Sequence, residues 1–254
     1  MADQMLNAGR PRVLIVIPAL NEARSIRGVL EDLRLHVPRA DLAVIDDGST
    51  DDTVAIASGA GAIVLRLPFN LGIGGALQTG YMYAAQHDYD LAVQFDGDGQ
   101  HRADQVLALL QAVGQGADLV IGSRVMAPGH YRFPLMRGIG SRLIGAIVRL
   151  VTGLRICDPT SGFRAFSRRM IEFFARHYPQ AYLESPEALA WAARHGMIVR
   201  EVPIEMRPAE RSSIGNVMGV FHSLRVCLAL LIDVLESRFP EEPPAPTPNR
   251  KADQ

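Results

Sequence analysis

The sequence predicts an α/β fold with a mainly parallel central sheet and helices on both faces. Three observations carry this. Short apolar runs of strand length recur along the first 120 residues, amphipathic stretches of helical period separate them, and small polar turns punctuate the two. VLIVIP (13–18) reads as a fully buried strand, and the stretch from Ala23 places Ile26, Leu30, Leu33 and Val37 on one helical face. LAVID (42–46), AIVLRL (62–67), LAVQFD (91–96) and ADLVIGS (117–123) repeat the strand signal, with helical segments expected around 53–59, 74–87 and 104–114. FRAFS (163–167) and MIVREVPIEM (197–206) add strands, with helices around 168–177 and 185–195. Parallel sheets of this kind bind ligands beyond the carboxyl ends of their strands. Those ends are acidic here: Asp46 and Asp47 close one strand, Asp96 and Asp98 another.

Composition narrows the function. The 254 residues carry 26 Lys+Arg and 27 Asp+Glu, so no global basic field advertises nucleic acid. Lys251 is the only lysine and sits in a Pro-rich tail, which leaves neither a Schiff-base enzyme nor a Walker-type phosphate loop with a usable lysine. Cys157 and Cys227 are far apart and have no histidine at zinc-module spacing, so a reducing, cytoplasmic setting is expected. The first ten residues lack a signal-peptide-like apolar stretch.

The segment from 124 to 157 differs from the rest. It holds Arg124, Arg132, Arg137, Arg142, Arg149 and Arg155 and no acidic residue, interleaved with Leu, Ile, Val and Gly. Such a stretch can hold a phosphate and lie along a lipid tail or membrane surface, or simply cover the sheet with arginines outward. The expected organisation is a flexible N-terminus (1–11), a domain over 12–214, an amphipathic helix over 215–239 and a disordered tail over 240–254. VCLALLI (226–232) within that last helix is too short to cross a bilayer. The helix can pack on the sheet, or lie in a membrane surface or against a membrane-protein partner.

Three local patterns suggest chemistry. Asp96-Gly97-Asp98-Gly99-Gln100-His101 follows a buried strand; two carboxylates two residues apart suit a hard divalent cation, Mg²⁺ or Mn²⁺. Asp46-Asp47-Gly48-Ser49-Thr50 makes a turn and helix cap, but its paired acids can also accept hydrogen bonds from a base or ribose. Asn70-Leu71-Gly72-Ile73-Gly74-Gly75 lets backbone approach a ligand at a helix start.

IPALNE (17–22), VIDDGSTDDT (44–53), NLGIGGALQTGY (70–81), FDGDGQH (95–101), GSR (122–124) and DPTSGFRAF (158–166) occur together in one order. In this they resemble family 2 glycosyltransferases with the GT-A, Rossmann-like nucleotide-binding fold, and more closely the dolichyl-phosphate or polyprenyl-phosphate mannose and glucose synthase branch. The resemblance spans about residues 12 to 213. It implies a metal-dependent, inverting transfer of a hexose from a GDP- or UDP-sugar to polyprenyl phosphate. Pro18, Ala19, Asn21, Glu22 and Gly74, with Asp46 or Asp47, would line the donor pocket, and Arg211 would close over the diphosphate. Asp96, Asp98 and Gln100 would surround the metal. Arg124, Arg137, Ser141 and Ser212 would serve the acceptor phosphate. A phosphate acceptor is largely ionised at neutral pH, its second pKa being about 6, and needs no base. A sugar hydroxyl in polysaccharide or glycan synthesis would need one, and Asp158, Glu184 and Glu187 are the carboxylates available. A sugar-nucleotide-binding protein without turnover is the reading from another class. The Gln-x-x-Arg-Trp motif of processive synthases is absent, since Leu189 precedes Ala190 and Trp191.

Overall fold

The computed structural model describes residues 11–126, 135–178 and 184–207, with the backbone path alone for 135–141 and 184–185. The expected helix over 215–239, the two termini, and Arg211 and Ser212 lie outside the described residues.

Among the described residues seven strands form one sheet: β1 (Val13–Ala19), β2 (Asp41–Asp46), β3 (Ile63–Arg66), β4 (Leu91–Gln94), β5 (Leu119–Ser123), β6 (Arg164–Ser167) and β7 (Val199–Pro203). Their order is β3-β2-β1-β4-β6-β5-β7, parallel except for β6, which runs antiparallel to both β4 and β5. Each expected strand is present, shifted by at most a few residues.

Seven described helices cover the sheet: α1 (Ile26–His36), α2 (Thr53–Gly59), α3 (Gly72–Gln86), α4 (Val106–Gly114), α5 (Leu135–Thr152), α6 (Arg168–Arg176) and α7 (Glu184–Arg194). Alternation along β1 separates two cores. Leu14 and Val16 face Leu77, Tyr81 and Ala84 of α3, together with Phe174 of α6, Ile144 and Val148 of α5 and Leu189 of α7. Ile15 and Ile17 face Leu30 and Leu33 of α1, Ala57 of α2 and Leu109 of α4. The fit is closest at Gly80, where an added Cβ would overlap Val16 Cγ1, so α3 can lie this near β1 only with glycine there.

Two features of this topology position the site. The chain turns one way from β1 to β2 and β3 and the other way to β4, so a crevice opens at the carboxyl ends of β1, β2 and β4. Because β6 is antiparallel, its leading loop (158–163) arrives at that same edge of the sheet.

Candidate active site

The crevice is a cleft of about 310 Å³. Pro18, Ala19, Leu20 and Glu22 from the β1 end, Asp47 after β2, Asn70, Gly72, Ile73 and Ala76 at the start of α3, and Asp96, Gly97 and Asp98 after β4 line it. Four of these are acids and none is basic.

The loops on the β1–β2 side brace one another. Asn21 adopts a left-handed backbone (φ 57°), and its side-chain carbonyl accepts from the Thr50 amide at 2.9 Å. The Asn21 amide donates to Ser49 Oγ at 2.9 Å, and the Glu22 amide to Thr53 Oγ1 at 2.8 Å. Asn21 is therefore a brace beside the pocket and is not among the residues lining it. The paired acids divide their tasks. Asp47 lines the cleft, where its carboxylate accepts from the Leu71 and Gly72 amides at 2.7 and 3.0 Å and ties the turn to the start of α3. Asp46 turns away: it is fully buried, accepts from the Ser49 amide at 3.1 Å and lies 3.7 Å from Arg66 Nε. Of the two alternatives only Asp47 reaches the cleft. Gly74 is buried within α3, while its neighbours Gly72 and Ile73 form the wall.

The turn after β4 holds its carboxylates differently. Asp96 Oδ2 accepts from His101 Nε2 at 2.9 Å, and 36% of the Asp96 side chain stays exposed. Burial opposes its charge, but His101, Arg124 and Arg164 together hold the carboxyl below its usual range. Asp98 accepts from the Gln100 amide at 2.9 Å and from the Gln100 side chain. Gln100 thus sits as the donor that orients Asp98 and not among the cleft-lining residues. Across the cleft, burial and the nearby charges of Asp98, Asp51 and Asp96 push the Glu22 carboxyl up, although Ser25 Oγ donates to it at 2.6 Å.

Among the described residues no three His, Cys, Asp or Glu side chains converge into a preformed metal cage. The donor set nonetheless fits Mg²⁺ or Mn²⁺, which favour carboxylate oxygens and are held by one or two of them together with substrate phosphates and water. Asp96 and Asp98 are the residues placed to do so.

A second cluster lies at the corner of β5, β6 and β7. Asp158, fully buried, accepts from Arg124 Nε and NH2, both at 2.7 Å, and from the Arg124 amide at 3.0 Å. Glu201 on β7 accepts from the Cys157 and Asp158 amides at 2.7 and 2.9 Å. Arg164, 1% exposed, donates to the carbonyls of Ser161 and Pro159. The loop so fixed sets Gly162 against Asp96, where an added Cβ would stand 3.2 Å from Asp96 Oδ2. The expected role of Asp158 as a base is not what this geometry provides: both oxygens are committed to Arg124 and the group is closed to solvent. Arg137 and Ser141 lie in α5 and Glu184 opens α7, with their side chains outside the described residues.

Sequence reading left out Glu201 and His101. Glu201 sits in a strand whose alternation hides it, and its partners are backbone amides that no motif announces. His101 stands inside the FDGDGQH motif, so its place was legible but its bond to Asp96 was not.

Comparison with known proteins agrees with this architecture. The family model described as glycosyl transferase family 2 matches residues 14–174. An undecaprenyl-phosphate mannosyltransferase of Micrococcus luteus is 34% identical, over 82% of this chain and 90% of that protein. A UDP-N-acetylglucosamine–dolichyl-phosphate N-acetylglucosaminyltransferase of Methanococcus voltae is 30% identical, over 81% and 86%. The glucosyl-3-phosphoglycerate synthase of Mycobacterium tuberculosis, solved with phosphoglyceric acid, superposes with a TM-score of 0.68 at 26% identity, covering 88% of this chain and 80% of that one. With an acid-lined cleft at the sheet's switch point, six ordered motifs and a family match over most of its length, the chain belongs to glycosyltransferase family 2 and has the GT-A fold.

Proposed function

We propose that this enzyme moves a hexose, with inversion, from a nucleoside diphosphate donor to polyprenyl phosphate, using Mg²⁺ or Mn²⁺ held by Asp96 and Asp98. The observation that carries the reading is the charge of the cleft: among the described residues, four acids and no basic residue line a pocket of nucleotide size. A donor diphosphate would be repelled there unless a divalent cation came with it. Asp96 and Asp98 would hold the cation, which would supply electrostatic stabilisation of the charge on the leaving diphosphate.

The protein's own residues supply the rest. Pro18, Ala19, Ile73 and Ala76 give apolar wall for base and ribose, and the Gly72 turn allows close backbone approach. Arg124 is fixed in place by its bidentate pair with Asp158, so it can be presented to phosphate without losing side-chain entropy on binding. Asp158 acts by positioning Arg124, which suits an acceptor that is already ionised and needs no base. Both transferases compared above act, by name, on lipid phosphates.

The outer face of α5 supports a lipid acceptor. Leu143 and Leu150 are 51% and 82% exposed, Arg142 and Arg149 are exposed beside them, and Ile144 and Val148 point into the core. Apolar side chains flanked by arginine suit the surface of an anionic membrane. No described helix is long and apolar enough to cross one.

The test is transfer of labelled hexose from UDP- and GDP-sugars, with Mn²⁺, to undecaprenyl phosphate in vesicles and in parallel to 3-phosphoglycerate. A product on the lipid supports the proposal. Product on 3-phosphoglycerate alone replaces the acceptor with a small hydroxyl, and release of free nucleoside diphosphate with neither acceptor rejects both.

A further inference from the structure

The reaction described above makes no use of one buried polar side chain in the middle of the site. His101 is 2% exposed. Its ring stacks on Phe163 at 4.9 Å between centroids and meets Phe95 edge-on at 5.5 Å. Nδ1 is enclosed with no hydrogen-bond partner among the described residues, while Nε2 lies 2.9 Å from Asp96 Oδ2. If the ring were there only to fill space, phenylalanine would complete the same aromatic cluster without burying an unpaired nitrogen. The polar ring is explained by its single polar partner.

We propose that His101 is a positioning residue for Asp96: its Nε2–H fixes one carboxylate oxygen so that the other is left for the cation. The inference rests on the metal reading proposed above and concerns how this chain prepares for it. Asp96 Oδ1 takes no hydrogen bond from the described residues, and Gly162 lies close beside the carboxylate, where an added Cβ would stand 3.2 Å from Oδ2 and 3.4 Å from Oδ1. The carboxylate thereby has a donor on one oxygen and Gly162 close by.

The main chain is built to hold the ring there. Gly99 has φ 77°, a left-handed turn that sends the chain back beneath Asp96. His101 then pairs with Met206 in an isolated antiparallel bridge, and the Arg207 amide donates to the Gln100 carbonyl at 2.9 Å. Gln100 orients Asp98 and His101 orients Asp96, so consecutive residues serve the two carboxylates of one turn. Groups that orient a metal-binding side chain typically change metal affinity about 10–100-fold when removed.

The experiment measures Mn²⁺ binding in the presence of UDP, from the EPR signal of free Mn²⁺, for the parent enzyme, His101→Phe and His101→Gln. His101→Phe keeps the aromatic packing and removes the donor; His101→Gln keeps a donor of similar reach. The expected result is a Kd for Mn²⁺ raised about 10-fold or more in His101→Phe and restored to within about 3-fold of the parent in His101→Gln. The thermal midpoint of metal-free His101→Phe should be no lower than that of the parent. Should His101→Phe fail to fold, His101→Met takes its place as the apolar arm. Unchanged Mn²⁺ binding in the apolar variant overturns the proposal. So does an equal loss in the apolar variant and His101→Gln, since the ring's shape would then matter and its N–H would not. If the parent itself binds no Mn²⁺, the metal reading fails and takes this inference with it, an outcome distinct from the other two.

Discussion

The acidic cleft and the β5–β6–β7 corner both gather carboxylates and use them in opposite ways. At the corner, Arg124 pairs with both oxygens of Asp158, and Glu201 is taken up by the Cys157 and Asp158 amides. In the cleft, Glu22, Asp47, Asp96 and Asp98 face one space with no basic residue among the described ones lining it, and burial, reinforced by the neighbouring acids, raises the pKa of Glu22. Charge paired within the protein is architecture. Charge left facing a cavity is set aside for a ligand of opposite sign.

This contrast predicts that the two regions fail differently. The largest effect is expected at the corner. Asp158→Asn leaves the buried Arg124 guanidinium without its counter-charge, which costs about 3–5 kcal/mol of stability, measurable by urea unfolding. A variant as stable as the parent would show that Asp158 is not architectural. In the cleft the effect moves from stability to turnover: Asp98→Asn should lower transfer roughly 10²–10³-fold while the unfolding midpoint stays at or above the parent's, because the change removes like-charge repulsion. Equal activity would remove Asp98 from the chemistry.

Gly162 joins the two regions, belonging to the corner loop yet lying beside Asp96. Gly162→Ala places a methyl group 3.2 Å from Asp96 Oδ2 and should weaken Mn²⁺ binding by about an order of magnitude or less, read by calorimetry. No change there would mean that the wall behind Asp96 is soft. The smallest effect concerns pH. Glu22 holds its proton more tightly folded than unfolded, so the native state loses stability as pH rises above the ordinary value of 4.5 and through the raised one. Glu22→Gln should therefore melt higher than the parent at pH 7, with the advantage gone near pH 4. A constant difference across that range would contradict the assignment.

The strands were legible because their apolar runs are long and bounded by turns, and the cleft because parallel strands ending in Asp47 and Asp96 leave few other places for a ligand. Two kinds of information were not legible. One is side-chain direction within a motif: Asp46 and Asp47 are adjacent and chemically identical, and only the twist at the end of β2 decides that the second faces the cleft. The other is long-range pairing. Asp158 is as good a base on paper as any carboxylate, and what removes it from that role is Arg124, 34 positions away, brought to it by the antiparallel insertion of β6 between β4 and β5. Gln100 is a metal ligand only by the family resemblance, and its amide and side chain donate to Asp98, a contact that no motif announces.

The central claim is that the cleft accepts a nucleoside diphosphate only together with a divalent cation on Asp96 and Asp98. Calorimetric titration of UDP and GDP into the enzyme, with and without Mn²⁺, tests it most directly. The account predicts that at least one of the two binds when Mn²⁺ is present, that binding without it is lost or at least about 10-fold weaker, and that Asp98→Asn abolishes the difference. Nucleotide binding of equal strength with and without Mn²⁺, unchanged in Asp98→Asn, would contradict it.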